Sequence, residues 1–269
     1  NILTAHYYVL NASACSNVAG DLEVTDQGDV IAWGNDAMFF ALRADPAGGV
    51  MWAKRFAHYG GFQFIKELPS GDLLAGINMD TAGAVIARLD PDGNFIWCKS
   101  YIRPRGMVHD CLIESDSSFI ITGYTDSIAS ANVIAPLPPD YHPKLFMMKL
   151  DAAGAVQWCK GYDSTPRMWH ARSAAQIVKA QDGNYVVLAD LGVTGYNLPF
   201  RPFLMKTDQN GDTLWTRSAG LNGNSHDTYD LLACSDGGFA YNGQAGVFGI
   251  YLFKTDPQGH LPCHEEWYP

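Results

Sequence analysis

One pattern governs what this chain can fold into: an aspartate, a glycine three residues later, a tryptophan four beyond that, and a basic residue two further on. It reads Asp45-Pro-Ala-Gly48 with Trp52 and Lys54, then Asp90-Pro-Asp-Gly93 with Trp97 and Lys99. It returns as Asp151-Ala-Ala-Gly154 with Trp158 and Lys160, and as Asp208-Gln-Asn-Gly211 with Trp215 and Arg217. A fifth copy, Asp256-Pro-Gln-Gly259, starts the same way and has Cys263 where tryptophan would stand. The interval is roughly 45 to 60 residues, the range of a repeated supersecondary unit.

Each copy is preceded by a second landmark: Asp26-Gln-Gly28, Ser70-Gly71-Asp72, Asp116-Ser-Ser118, Asp182-Gly183 and Asp236-Gly237-Gly238. Short apolar runs follow these landmarks, such as Val30–Trp33, Leu73–Ala75, Phe119–Ile121, Tyr185–Leu188 and Phe239–Tyr241. Another run enters each Asp-x-x-Gly turn, as in Phe39–Leu42 and Leu145–Met148. Runs of this length and composition between Asp/Gly punctuation are strands joined by tight turns. Asp accepts a backbone N–H two residues on, and Gly supplies the positive φ. Four strands per unit, repeated radially, predict an all-β, five-bladed β-propeller with four-stranded antiparallel blades. Approximate blade limits are 17–58, 59–104, 105–165, 166–221 and 222–269, within one domain over 1–269. The fifth unit lacks its Trp strand. Tyr7-Tyr8-Val9-Leu10, a spare apolar stretch ahead of the first unit, is therefore expected to close the ring, with residues 4–10 completing the last blade. That closure would bring Cys15 and Cys263 together as a candidate disulfide.

The tryptophan is expected to fill the space between neighbouring blades. The basic residue two positions later lies on the same strand face, with its charge near solvent. Another basic residue two before each aspartate (Arg43, Arg88, Lys149, Lys206, Lys254) repeats the arrangement one strand earlier. Cys98 and Cys159 follow Trp97 and Trp158 at matching positions and read as buried packing residues. No Cys-x-x-Cys pair or zinc spacing occurs.

Composition narrows the partners. The net charge is −10 with no basic run, which argues against nucleic acid. No stretch approaches the ~20 apolar residues of a membrane span. Apolar residues at 47% and charged ones at 17% suit a globular chain. A start at Asn1 rather than Met is what removal of an N-terminal signal would leave.

Units such as FLMKTDQNGDTLWTRSAG and LFMMKLDAAGAVQWCKGY, each after a DGGFAYNG-like strand, resemble the repeat propellers of secreted and cell-surface proteins of Bacteroidetes. The closing FKTDPQGHLPCHEE is similar to the point where such propellers end. The resemblance covers nearly all of the chain. It implies the propeller fold and a secreted or surface location, with export as cargo of type IX secretion. It implies no activity.

Function is therefore sought in the connections away from the uniform turns, because variable loops carry binding. The longest runs from Asp126 to Lys144, and another from Gly192 to Pro202. Aromatic and arginine side chains there are the candidate ligand contacts: Trp169, Tyr141, Phe200, Arg105, Arg167 and Tyr229. The ligand expected is a protein or a glycan. Each of the four inter-blade connections also carries a histidine (His58, His109, His170, His226), a set that could ring an axial metal. No cofactor signature is read. A glycosidase reading would place carboxylates around the axis, with Asp21, Asp110, Asp227 and Asp230 as candidates. A sialidase-like reading would use Arg103, Arg105, Arg167 and Arg172. No spacing supports either, nor a G-x-S-x-G elbow. The residues favour a binding module without chemistry of its own over a glycan-active enzyme or a structural subunit of an extracellular assembly.

Overall fold

The structure is a computed structural model. It describes residues 18–35, 39–56, 60–79, 83–102, 106–125, 144–162, 176–191, 201–218, 226–245 and 249–261. Among them there is no helix, and so none long and apolar enough to cross a membrane. There are nineteen strands in five antiparallel sheets, the blades of a β-propeller.

Blade 1 holds β1 (Val18–Val24), β2 (Val30–Asn35), β3 (Phe39–Ala44) and β4 (Val50–Phe56). Blade 2 holds β5 (Gly60–Glu67), β6 (Leu73–Met79), β7 (Gly83–Leu89) and β8 (Phe95–Ile102). Blade 3 holds β9 (Gly106–Ser115), β10 (Ser118–Thr125), β11 (Lys144–Asp151) and β12 (Val156–Tyr162). Blade 4 holds β13 (Gln176–Lys179), β14 (Tyr185–Leu191), β15 (Arg201–Thr207) and β16 (Thr213–Ser218). Blade 5 holds β17 (His226–Ala233), β18 (Phe239–Ala245) and β19 (Gly249–Lys254), three strands among the described residues. In every blade the strands pair in chain order. The expected closing strand Tyr7–Leu10 and the Cys15–Cys263 pair lie outside the described residues.

The chain divides into two compact units. One is Asn1–Pro104 with Ser115–Ser117, and the other is Arg105–Glu114 with Ser118–Pro269. Within the first, one side of blade 1 (Ile31, Trp33, Phe39, Ala41) packs on blade 2 (Ile65, Leu73, Ala75, Ile77, Val85, Ala87). Within the second, Ile120, Tyr124, Leu145 and Met147 of blade 3 meet Ile177, Tyr185, Val187 and Met205 of blade 4. The opposite side of blade 4 (Val186, Leu188, Leu204) meets Leu231, Phe239, Tyr241 and Tyr251 of blade 5. A middle strand is thus covered on both sides, which is why β3 and its equivalents read as unbroken apolar runs. The fourth strand has a neighbour on one side only, and β4 alternates half-buried with exposed residues.

The Asp-x-x-Gly stretch is a three-residue hairpin loop closed by a left-handed glycine. In blade 1, Gly48 N–H donates to Asp45 O and Asp45 N–H to Gly49 O, both at 2.9 Å. The Asp45 carboxylate also accepts the N–H groups of Ala47 (2.9 Å) and Gly49 (2.8 Å). One aspartate therefore satisfies the backbone of its whole loop. At Asp208 the same bonds, from Asp212 and Asn210, hold the carboxyl below its ordinary range.

The spacing from Asp to Trp has a direct physical cause. The indole of Trp52 lies on Gly93, in the turn of the next blade, and its Nε1–H donates to Pro91 O at 2.9 Å. Gly93 has φ +73°, and a Cβ there would stand 3.1 Å from the ring. The glycine serves both its own turn and its neighbour's tryptophan. Trp158 on Gly211 and Trp215 on Gly259 repeat the contact. The basic residue two beyond does more than keep its charge in solvent. Lys54 Nζ donates to Asn94 Oδ1 (2.6 Å), Lys160 pairs with Asp212 (2.6 Å), and Arg217 donates to His260 Nε2 (3.1 Å). Asn94, Asp212 and His260 each follow the turn glycine of the next blade. Because Arg217 can only donate, His260 accepts at Nε2, and its Nδ1–H faces Asp256 Oδ2 at 3.1 Å.

The cysteines require a correction. Cys98 and Cys159 are exposed, whereas Cys111 is the buried one. Trp97 and Trp158 take the inward side of the outermost strand, so the next residue turns outward, where no sheet covers it. Partial burial still pushes both thiols above their ordinary pKa.

Candidate functional site

The tight turns all lie at one end of their sheets, and the basic residue before each Asp-x-x-Gly turn ties that end together. Arg43 pairs with Asp29 at 2.7 Å and with Glu67 of the next blade at 3.3 Å, all three largely buried. Arg88 pairs with Asp72, Lys206 with Asp182 and Lys254 with Asp236, each at 2.7 Å. Blade 3 departs from this rule. Its β9–β10 turn is a two-residue loop without glycine, and Lys149 pairs instead with Glu114 in β9 at 2.8 Å. Glu114 also accepts from Tyr185 Oη (2.6 Å) and Ser118 Oγ (2.8 Å), with Lys179 at 3.6 Å. Burial alone would raise its pKa, but the bonds from Lys149, Tyr185 and Ser118 outweigh it and bring the pKa down to about 2. The cations and carboxylates of this end are consumed by the scaffold.

At the opposite end the strands connect through 36–38, 80–82, 126–143, 192–200 and 246–248 within blades, and through 57–59, 103–105, 163–175 and 219–225 between them. Most candidate contacts fall there. Trp169, Tyr141, Phe200, Arg105 and Arg167 lie outside the described residues, as do His58 and His170. Tyr229 is described. It is the extra residue of a β-bulge between Thr228 and Asp230 in β17, 53% exposed, and its hydroxyl donates to Gln244 Oε1 at 2.8 Å.

Of the histidine set, His226 opens β17 and His109 sits in β9. The His109 ring meets the ring of Tyr124 at 5.2 Å, edge to face, and burial brings its pKa down to about 4. It is a neutral imidazole at physiological pH. Among the described residues no group of three or more His, Cys, Asp or Glu converges to hold a metal.

The innermost strands carry the axial carboxylates proposed for catalysis, and the bulges explain their recurrence. Asp21 follows the bulge at Gly20 and Asp230 the one at Tyr229, and each Oδ1 accepts the N–H of the next residue, at 2.8 and 2.9 Å. Asp110 accepts Cys111 N–H through Oδ1 (2.8 Å) and Ile177 N–H of blade 4 through Oδ2 (2.9 Å). Both of its oxygens serve the backbone. Sequence reasoning missed Asp190, fully buried at the far end of β14, whose carboxylate accepts Thr228 N–H at 3.0 Å and so binds blade 4 to blade 5. Its only signal is a charged residue ending an otherwise apolar run. Burial, helped by the Asp190 charge, holds the Tyr124 and Tyr251 hydroxyls protonated far above neutrality.

No protein-family model matches the chain, and no curated protein matches it. Among solved structures it is similar to a protein of unknown function from Bacteroides caccae, with 11% identity and a TM-score of 0.54 over 93% of this chain and 82% of that one. It is similar to the Dos1 propeller, with 10% identity and a TM-score of 0.53 over 92% of this chain, and it spans only 59% of that structure's length. It is also similar to an alpha-L-arabinanase of Penicillium chrysogenum, solved with arabinobiose, with 11% identity and a TM-score of 0.50 over 88% of this chain and 92% of that one. At such identities the likeness is one of fold: this chain has the fold of a β-propeller.

Proposed function

We propose that the chain is a non-catalytic binding module, secreted or carried at a cell surface, that recognises protein or glycan through the variable connections. One observation carries the reading. At one end of every blade the turns are short and their charges are locked into scaffold pairs. At the other end the connections differ in length from blade to blade and hold the aromatic and arginine residues Trp169, Tyr141, Phe200, Arg105 and Arg167. A scaffold that standardises one end and varies the other suits recognition. The engagement of both Asp110 oxygens by backbone N–H groups supports a module over an axial glycosidase, because a carboxylate spent on two backbone donors is poorly placed to transfer protons.

The test is a glycan array run together with a hydrolase screen, using the wild type, Trp169→Ala and Arg167→Ala. Binding without turnover that both variants weaken supports the reading. Turnover of any substrate, or binding that ignores both variants, refutes it.

A further inference from the structure

Outermost strands reach the turn of the next blade through a basic side chain, and one of these contacts differs in chemistry from its two counterparts. Lys54 Nζ donates to Asn94 Oδ1 and Lys160 Nζ meets Asp212 Oδ1, both at 2.6 Å. Between about pH 5 and 8 neither kind of acceptor changes its protonation, because amides do not titrate and aspartates ionise at lower pH. Where β16 of blade 4 meets the turn after β19, the acceptor is His260. Imidazole is the side chain that ordinarily gains a proton in that range.

Both nitrogens of this ring are engaged. Arg217 Nη2 stands 3.1 Å from Nε2, and Asp256 Oδ2 stands 3.1 Å from Nδ1. Asp256 also holds the turn itself, its Oδ1 accepting the N–H groups of Gln258 (2.9 Å) and His260 (2.8 Å). On the side of blade 4, the Trp215 indole seats on Gly259, and the Arg217 guanidinium lies 5.3 Å from the centre of that indole. The imidazole therefore stands between an anion of its own turn and a cation of the neighbouring blade.

A guanidinium can only donate, so its bond to Nε2 exists only while that nitrogen keeps its lone pair. A proton on Nε2 makes donors of both facing groups and sets two cations 3.1 Å apart. The same proton turns the contact of Nδ1 with Asp256 into an ion pair. Protonation thus moves the histidine from the neighbouring blade to its own turn.

We propose that Arg217 and His260 form a pH-sensitive clasp between blades 4 and 5, closed while His260 is neutral and opened by its protonation, as the Lys54 and Lys160 contacts stay shut.

NMR of the full chain between pH 8 and pH 5 tests it, following the His260 ring, the Arg217 guanidinium and backbone amide exchange. The Arg217 signals are expected to move with the midpoint of the His260 ring. Amides of 215–218 and 256–260 are expected to exchange about tenfold faster at pH 5.5 than at pH 7.5, after correction for the intrinsic rate, from the loss of one charge-assisted hydrogen bond. Exchange at the Lys54 and Lys160 contacts should not change on this scale. His260→Asn, which installs the residue blade 2 carries as Asn94, is expected to keep the clasp and remove its pH dependence. A double-mutant cycle of Arg217→Met and His260→Phe in urea gives an independent reading, with favourable coupling at pH 7.5 that is lost at pH 5.5. Arg217 signals that ignore the His260 titration, a pH dependence that survives His260→Asn, or coupling equal at the two pH values each overturn the proposal.

Discussion

Replacing Glu114 by glutamine tests whether charge, rather than packing, holds blade 3 to blade 4. The carboxylate gathers Lys149, Tyr185, Ser118 and, more distantly, Lys179. Its pKa falls from the ordinary 4.5 to about 2 in the fold. At about 1.4 kcal/mol per unit, that displacement corresponds to roughly 3 kcal/mol of stability at neutral pH. Solvent screening of the exposed Lys179 and of part of the cluster reduces the expected figure to about 2 kcal/mol. The sign follows from the direction of the shift. A depressed carboxyl stabilises the fold above its unfolded pKa, and the contribution drains away as pH falls from about 4.5 towards about 2. Urea unfolding followed by tryptophan fluorescence should therefore show Glu114→Gln about 2 kcal/mol less stable than wild type at pH 7. At pH 3 the gap should have shrunk to less than half, and near pH 2 it should close. A gap equal at pH 7 and pH 3 would refute the electrostatic account and assign Glu114 a role of shape alone.

Two further substitutions probe the repeat itself. Arg43→Leu removes the cation between the buried Asp29 and Glu67 and should cost about 3–5 kcal/mol, part of it recovered by the double change Asp29→Leu with Arg43→Leu, which removes one of the two uncompensated buried charges and leaves Glu67. A double variant as unstable as the single one in chemical denaturation would contradict this. Gly211→Ala forces a left-handed alanine (φ +77°) and sets a Cβ 3.1 Å from Trp158 and 3.0 Å from Tyr162 Oη, so a loss of about 2 kcal/mol or more is expected, read as a lower urea midpoint at unchanged slope. An unchanged midpoint would mean that the turn glycine is not a seat for the neighbouring indole.

The blades were legible because the repeat encodes contacts between neighbours, and such contacts recur with the period. An aspartate that satisfies the backbone of its own loop, and a glycine that seats the preceding indole, cannot drift in sequence without loss. Their spacing therefore survives as text. What stayed hidden is what the period does not constrain. Glu114 moved the acidic partner of Lys149 into the strand, out of the turn where the partners in the other blades, Asp29, Asp72, Asp182 and Asp236, stand. Matching Cys98 to Cys159 fixed their position in the repeat but not their side of the strand, and in an outermost strand that side decides between burial and solvent. Asp190 carries the same lesson further. Its carboxylate accepts Thr228 N–H of the next blade at 3.0 Å, a bond that only the fold brings together. A contact repeated with the period is written many times over in the chain, whereas one made once between two neighbouring blades leaves no such trace.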